Sequence, residues 1–197
     1  MRMLAVAAVI LAALVAAAGT AVPLMPDQQQ ALTAIDTVPT KALYESLPDM
    51  PLDQGTLQSV ATDGSASPAF RLRAIHALST YCAVPAGSAC PGGDPAHQVL
   101  VGLVDAYGSA QSGSDLLILR GAVEALGLMK DPDDEAKLAG LLNHPSRDIR
   151  STAALALGAL CNTAAQTPLH QRLTNESTDQ VKLAISAALR ILASCVP

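Results

Sequence analysis

The sequence is poor in aromatic residues and contains no tryptophan. One Phe and three Tyr make up 2% of the 197 residues, although half of the chain is apolar. Ala and Leu alone account for a third of it, with 37 and 29 residues. Because Ala favours helices, whereas aromatic and β-branched residues favour strands, this composition excludes an all-β sandwich. The high apolar content also excludes a disordered chain.

Positive charge is scarce as well. Twelve Lys and Arg stand against 17 Asp and Glu, which gives a net charge of −5. A surface that binds nucleic acid needs a basic face and aromatic side chains on which bases stack, and the sequence shows neither. We therefore expect no nucleic-acid partner.

Sequence motifs of common catalytic, phosphate-binding and metal-binding sites are absent as well. There is no Gly-x-Ser-x-Gly elbow, no glycine-rich phosphate loop, and no CxxC or His-rich spacing for zinc. The acidic run 131–135 lacks the spacing of a calcium loop and predicts a capped helix start instead. His144 precedes Pro145 in a turn and is expected to be solvated. The other histidines, also isolated, are His76, His97 and His170. We predict no catalytic residue, no metal site and no cofactor.

Residues 1–21 have the composition of a secretory signal peptide. Arg2 is followed by an unbroken apolar run over 4–15 and then by small residues up to Ala21. We expect cleavage after Ala18 or Ala21 and export to the periplasm or the medium, and the Ala-rich leader favours a bacterial host. The alternative is an uncleaved membrane anchor, because the uncharged stretch 4–22 approaches the ~20 residues that a spanning helix needs.

Four segments of the chain resemble one another: 70–78, 118–127, 149–158 and 181–189. Each opens with a large apolar residue and has Ala-Leu near its end. A turn-forming stretch and a shorter segment with apolar residues at helical spacing precede each one. The unit is therefore helix, turn, helix, with a period near 31 residues. Such pairs bury their apolar faces only by stacking on one another.

The third unit gives the clearest resemblance to a known family. Its polar turn 143–148, the following Ile149-Arg150, and the Ala-rich 153–158 resemble the HEAT repeat family in its short, HEAT-like or PBS-lyase-type form. The other units depart from the pattern at Ser79, Leu119, Lys182 and Arg190. The resemblance implies an all-α fold, a right-handed α-solenoid of about four repeats. The repeat domain is 52–195, with units 52–82, 96–130, 133–162 and 165–195. Residues 22–51 form an N-terminal extension or cap, with short helices over 27–35 and 40–47.

The interval between the first two units is about 17 residues too long. The excess forms a Gly- and Pro-rich inserted loop, 83–95. Four Cys in an exported chain favour disulfides. Cys82 and Cys161 lie two repeat steps apart, roughly 16–20 Å, which is too far for a bond. We predict bonds between Cys82 and Cys90 and between Cys161 and Cys195; the alternative is four free thiols in a cytosolic protein.

The resemblance implies a non-enzymatic scaffold that binds a protein or peptide along its concave surface. Second helices commonly line that surface in the family. We expect the partner-binding positions to be Arg73, His76, Arg120, Glu124, Ser151 and Leu155. Arg71, Arg150 and Lys182, which open second helices, should form surface pairs with acidic turn residues of adjacent units: Asp148, Glu176 and Asp179.

Two other functions stay open at this point. The first is a subunit or accessory of a lyase-type HEAT-like enzyme, which would need polar residues that converge on a pocket. Some enzymes of the family bind iron through His-Glu dipeptides, and this sequence has none. The second is a membrane-tethered structural spacer, which would require the leader to be retained.

Overall fold

The structure is a computed structural model that describes residues 22–34, 40–48, 50–82, 90 and 92–195. The leader 1–21 and most of the inserted loop, 83–89 and 91, lie outside these residues. Every regular element in the described part of the chain is helical, which confirms the predicted all-α class. Two short helices come first, α1 (Pro26–Thr33) and α2 (Lys41–Glu45), and four antiparallel helix pairs follow.

Each pair has a first and a second helix, as the repeat pattern predicts. The first helices are α3 (Gln54–Thr62), α5 (Pro95–Tyr107), α7 (Glu135–Leu141) and α9 (Gln166–Asn175). The second helices are α4 (Pro68–Leu78), α6 (Gly113–Met129), α8 (Arg147–Ala159) and α10 (Asp179–Ser194). Short 3-10 turns, Pro132–Asp134 and Thr163–Ala165, lead into α7 and α9.

Local sequence explains where several helices begin. The Asp53 and Asp94 carboxylates accept hydrogen bonds from the backbone amides of Thr56 and Ala96, and thereby cap α3 and α5. Pro68 and Pro95 occupy the first positions of α4 and α5, where a helix loses nothing from a missing amide hydrogen. The cap and first turn of α5 thus lie at the end of the predicted loop.

The second helices form one continuous layer. Contacts between successive second helices are far more extensive than those between successive first helices. Successive second helices therefore pack directly against one another along one side of the stack. Glycines allow this close approach: a Cβ on Gly127 would lie 2.8 Å from the Cα of Ala156, and one on Gly158 would lie 2.7 Å from the Cα of Ala188. The corresponding residue of α10 is Arg190.

The N-terminal helices cover the outer side of the first unit. Helix α1 packs against α4, and the side chains of Leu32, Tyr44 and Leu52 are fully buried. The hydroxyl of Tyr81 donates a hydrogen bond to the Leu52 carbonyl, 2.5 Å away. The described residues of 22–52 thus continue the apolar core of the repeats.

Two disulfides join the four cysteines. Cys82 is bonded to Cys90, eight residues along the chain, and Cys161 is bonded to Cys195, 34 residues along the chain. The first ties Cys90, within the inserted loop, to the end of the first unit. The Cys90 amide also donates to the Met129 carbonyl at the end of α6 in the second unit. The second joins the third and fourth units. These are the pairings expected from the sequence.

Candidate functional site

Exposed large apolar side chains of the repeat units are confined to second helices. From residue 52 onward, those in the described residues are Leu117, Leu128, Leu155, Leu183 and Ile191. The first helices bury their large apolar residues more fully. A single exposed Leu is common on the surface of a folded protein. A concentration of exposed apolar side chains on one layer of helices indicates a contact surface.

Their positions along the repeat divide these residues into two groups. Leu117 and Leu128, eleven residues apart, share one face of α6, and Leu155 occupies the corresponding face of α8. Leu183 instead occupies the position of Arg120 and Ser151 in the two preceding second helices. It lies outside the groove described below and is 71% exposed.

Helices α6 and α8 enclose a shallow groove on the side of the second helices, which we call the α6/α8 groove. Its volume is about 210 Å³. Leu128 and Leu155 form its apolar walls and are 60% and 45% exposed. Its other lining residues are Arg120, Glu124, Gly127, Thr152, Ala156 and Ala159. Apolar walls beside two charged side chains suit the contact with a protein segment better than the enclosure of a small substrate.

The groove brings together three of the six residues predicted to bind a partner: Arg120, Glu124 and Leu155. His76, on α4, lies next to it, with its Nε2 atom 3.6 Å from an Oε atom of Glu124. These residues do not converge on an enclosed pocket.

Two of the six predicted residues lie elsewhere. Arg73 is half-buried beside Tyr44 of α2. Burial raises the pKa of the Tyr44 hydroxyl, and the neighbouring Arg73 guanidinium lessens the rise. Ser151 is only 8% exposed, so the expectation that it is available to a partner is wrong. Arg120, at the same step of the preceding second helix, is exposed.

Comparison with known families identifies the part of the chain that forms this groove. Residues 109–190 match the family model for HEAT repeats. This HEAT-repeat segment runs through α6–α10 and includes every residue that lines the groove. The first unit, 52–82, precedes it. No curated protein and no solved structure matches the chain.

The third and fourth units of the HEAT-repeat segment are joined by a buried ionic cluster. The carboxylate of Glu176, whose side chain is fully buried, accepts hydrogen bonds from Arg150 at 2.8 and 3.1 Å and from Arg172 at 2.7 and 3.0 Å. The Thr178 amide donates to it as well. Burial opposes the charged form, but these donors outweigh it and hold the pKa of Glu176 well below its usual range.

The pairing of Arg150 with Glu176 confirms one predicted contact, but the pair is buried rather than on the surface. The prediction for Arg71 is wrong, and that for Lys182 holds in part, because its predicted partner Asp179 belongs to its own helix rather than to an adjacent unit. Arg71 donates to the Ala61 carbonyl and the Tyr107 hydroxyl, at 3.0 and 2.9 Å, rather than to an acidic residue. Lys182 lies 4.0 Å from Asp179 of its own helix.

A second buried cluster links the second and third units. His97 Nε2 of α5 lies 2.8 Å from a carboxylate oxygen of Asp134 and 3.7 Å from one of Asp131, and all three side chains are buried. Burial raises the pKa of Asp134, although the hydrogen bond with His97 acts against the rise. Sequence reasoning placed the acidic run correctly at a helix start but missed its contact with His97, because 37 residues separate the partners.

His144 is another histidine whose environment differs from the prediction. It is buried, not solvated, and its Nδ1 atom accepts a hydrogen bond from the Ser146 amide. Burial lowers the pKa of His144. It thus belongs to the turn that opens α8, where Arg150 donates to its carbonyl.

The described residues offer little that could bind a metal ion or cross a membrane. Among these, one group of possible ligands lies close together, Cys82, Cys90 and Asp94, and the disulfide consumes both of its thiols. None of the helices found there has the length and apolar content needed to cross a bilayer.

Proposed function

We propose that this protein is an exported, non-enzymatic scaffold that binds a partner protein through the concave side of its HEAT-repeat segment. The observation that carries the proposal is the confinement of exposed large apolar residues to second helices, with Leu128 and Leu155 facing each other across the α6/α8 groove. The repeat family supports a role in protein interaction. The two disulfides support an oxidising compartment, in agreement with residues 1–21 as a cleaved leader.

Peptide display on the full oxidised protein tests the binding site. Peptides selected on the wild type should lose about tenfold or more in affinity for Leu128→Ser and for Leu155→Ser, because each change removes an apolar wall of the groove. Leu183→Ser is the matched control: it alters an exposed Leu of a second helix that lies outside the groove. Equal losses in all three variants, or no selectable peptide, would refute a binding site in the groove.

Export is tested by the intact mass of the protein purified from its host, measured with and without reduction and alkylation. Loss of 18 or 21 N-terminal residues, with no thiol alkylated before reduction, is expected. A full-length mass with four alkylatable thiols would contradict export and would favour a membrane-tethered protein with reduced cysteines.

A further inference from the structure

The α6/α8 groove is lined by one positive and one negative side chain, Arg120 and Glu124, and in the described part of the chain they form no ion pair with each other. Arg120 is exposed at the edge of the groove, and no acidic group of the described residues lies within 4 Å of its guanidinium. Glu124, one helical turn further along α6, is 3.6 Å from His76 instead. In a chain whose net charge is −5, an exposed Arg without a partner beside an apolar wall is available for an incoming carboxylate.

The size of the groove limits what can enter beside that charge. A cavity of about 150 Å³ accommodates a benzene molecule. The groove, with about 210 Å³, has room for one large apolar side chain between Leu128 and Leu155. It is too small to bury a folded surface, so the matching part of a partner is a short segment with one protruding side chain.

We infer that the groove binds a protein segment in which one large apolar residue lies close to an Asp or Glu. This inference rests on the proposed interaction function. The apolar side chain inserts between Leu128 and Leu155, and the carboxylate accepts hydrogen bonds from the Arg120 guanidinium, whose planar geometry suits bidentate pairing. The apolar contact supplies most of the affinity, and the ion pair selects the charge of the partner.

The spacing within the partner follows from the geometry of α6. Arg120 and Leu128 are eight residues apart, which is about 12 Å along a helix. The acidic and apolar residues of the partner should therefore lie within two turns of each other on a helical segment. On an extended segment they should lie within three to four residues.

Charge reversal tests the inference. The same peptide library is selected on the wild-type protein and on Arg120→Glu, and representative peptides are synthesised with Glu or Lys at the charged position. We expect Glu next to the apolar residue in wild-type selections and Lys or Arg in selections on the variant. The Glu peptide should bind Arg120→Glu about tenfold more weakly, and the Lys peptide should bind it more tightly. Arg190→Glu, a change of an exposed Arg on α10, should alter neither affinity.

Each result separates the inference from the proposed function. Peptides that depend on Leu128 and Leu155 but show no charge preference, or the same preference on both proteins, would overturn the role of Arg120 and leave the interaction function intact. Peptides whose binding ignores Leu128 and Leu155 would overturn both. A preference for Glu that disappears with Arg190→Glu would also overturn the assignment to Arg120.

Discussion

The contact between α8 and α10 allows a sharp prediction for Gly158→Ala. The added methyl group would lie 2.7 Å from the Cα and 2.9 Å from the Cβ of Ala188, and 3.1 Å from its carbonyl oxygen. Carbon atoms in contact are normally about 3.5–4.0 Å apart. The two helices must therefore separate by roughly 0.8 Å or more, because backbone atoms cannot rotate out of the way as a flexible side chain can.

The expected cost follows from two opposing effects. Overfilling a well-packed contact costs about 1–3 kcal/mol. Replacing Gly by Ala in a helix stabilises the folded protein by about 1 kcal/mol. We expect a net loss of up to about 2 kcal/mol for Gly158→Ala. Gly102→Ala is the matched control: Gly102 lies in the middle of α5, is exposed, and a Cβ there would meet nothing within 4 Å. This control should gain about 0.5–1 kcal/mol.

Urea unfolding of the oxidised proteins, followed by far-ultraviolet circular dichroism, measures both changes. The Gly→Ala substitution should lower the urea concentration at the unfolding midpoint at Gly158 and raise it at Gly102. The slope of the unfolding free energy against urea concentration should stay unchanged. Gly127→Ala should resemble Gly158→Ala, since its methyl group would lie 2.8 Å from Ala156. A Gly158→Ala protein as stable as the Gly102→Ala protein would refute the close approach of successive second helices.

Three further predictions concern the buried charges and the disulfides. Glu176→Gln should cost about 3–5 kcal/mol at pH 7, because it leaves Arg150 without its anion. The pKa of Glu176 is lowered from 4.5, so this difference from wild type should shrink as pH falls below 4.5 in urea titrations between pH 7 and 3. The pKa of Asp134 is raised, so its ionisation opposes folding. The Asp134→Asn protein should therefore gain stability relative to wild type as pH rises from 3.8. A difference in unfolding free energy that does not change with pH would contradict the raised pKa of Asp134. Replacing Cys161 and Cys195 by Ser should cost about 3–4 kcal/mol in a thermal melt, more than the about 2–3 kcal/mol for the shorter loop that starts at Cys82.

The sequence predicted the repeat architecture because its signal is local. Each second helix has Ala-Leu at the same step, and a turn of polar residues precedes it, so helix positions follow from spacing alone. The pairing of Arg150 with Glu176 could be predicted for the same reason, since the basic residue and the acidic turn recur at fixed steps. Its burial could not be predicted, because that depends on Arg172 completing the cluster.

The wrong predictions concern side-chain exposure and contacts between units. Arg120, Ser151 and Leu183 occupy the same step of the repeat, yet Ser151 is buried, whereas Arg120 and Leu183 are exposed. The contact of His97 with Asp134 joins residues from two units, and no periodic pattern relates them. Three of the six predicted partner-binding residues line the groove. Helical spacing predicts which face of a helix a residue lies on, but not how much of its side chain neighbouring helices bury.

The replacement of glycine by Arg190 in the last second helix has a consequence for assembly. A stack of similar units offers, at its open end, a template onto which a second copy of the chain could add, and repeated addition would produce a filament. Helices α6 and α8 contact the following second helix closely at Gly127 and Gly158, where no side chain separates the two backbones. At the same step α10 presents a long charged side chain. We therefore expect α10 not to accept a helix of a second copy in the backbone-to-backbone contact that Gly127 and Gly158 allow.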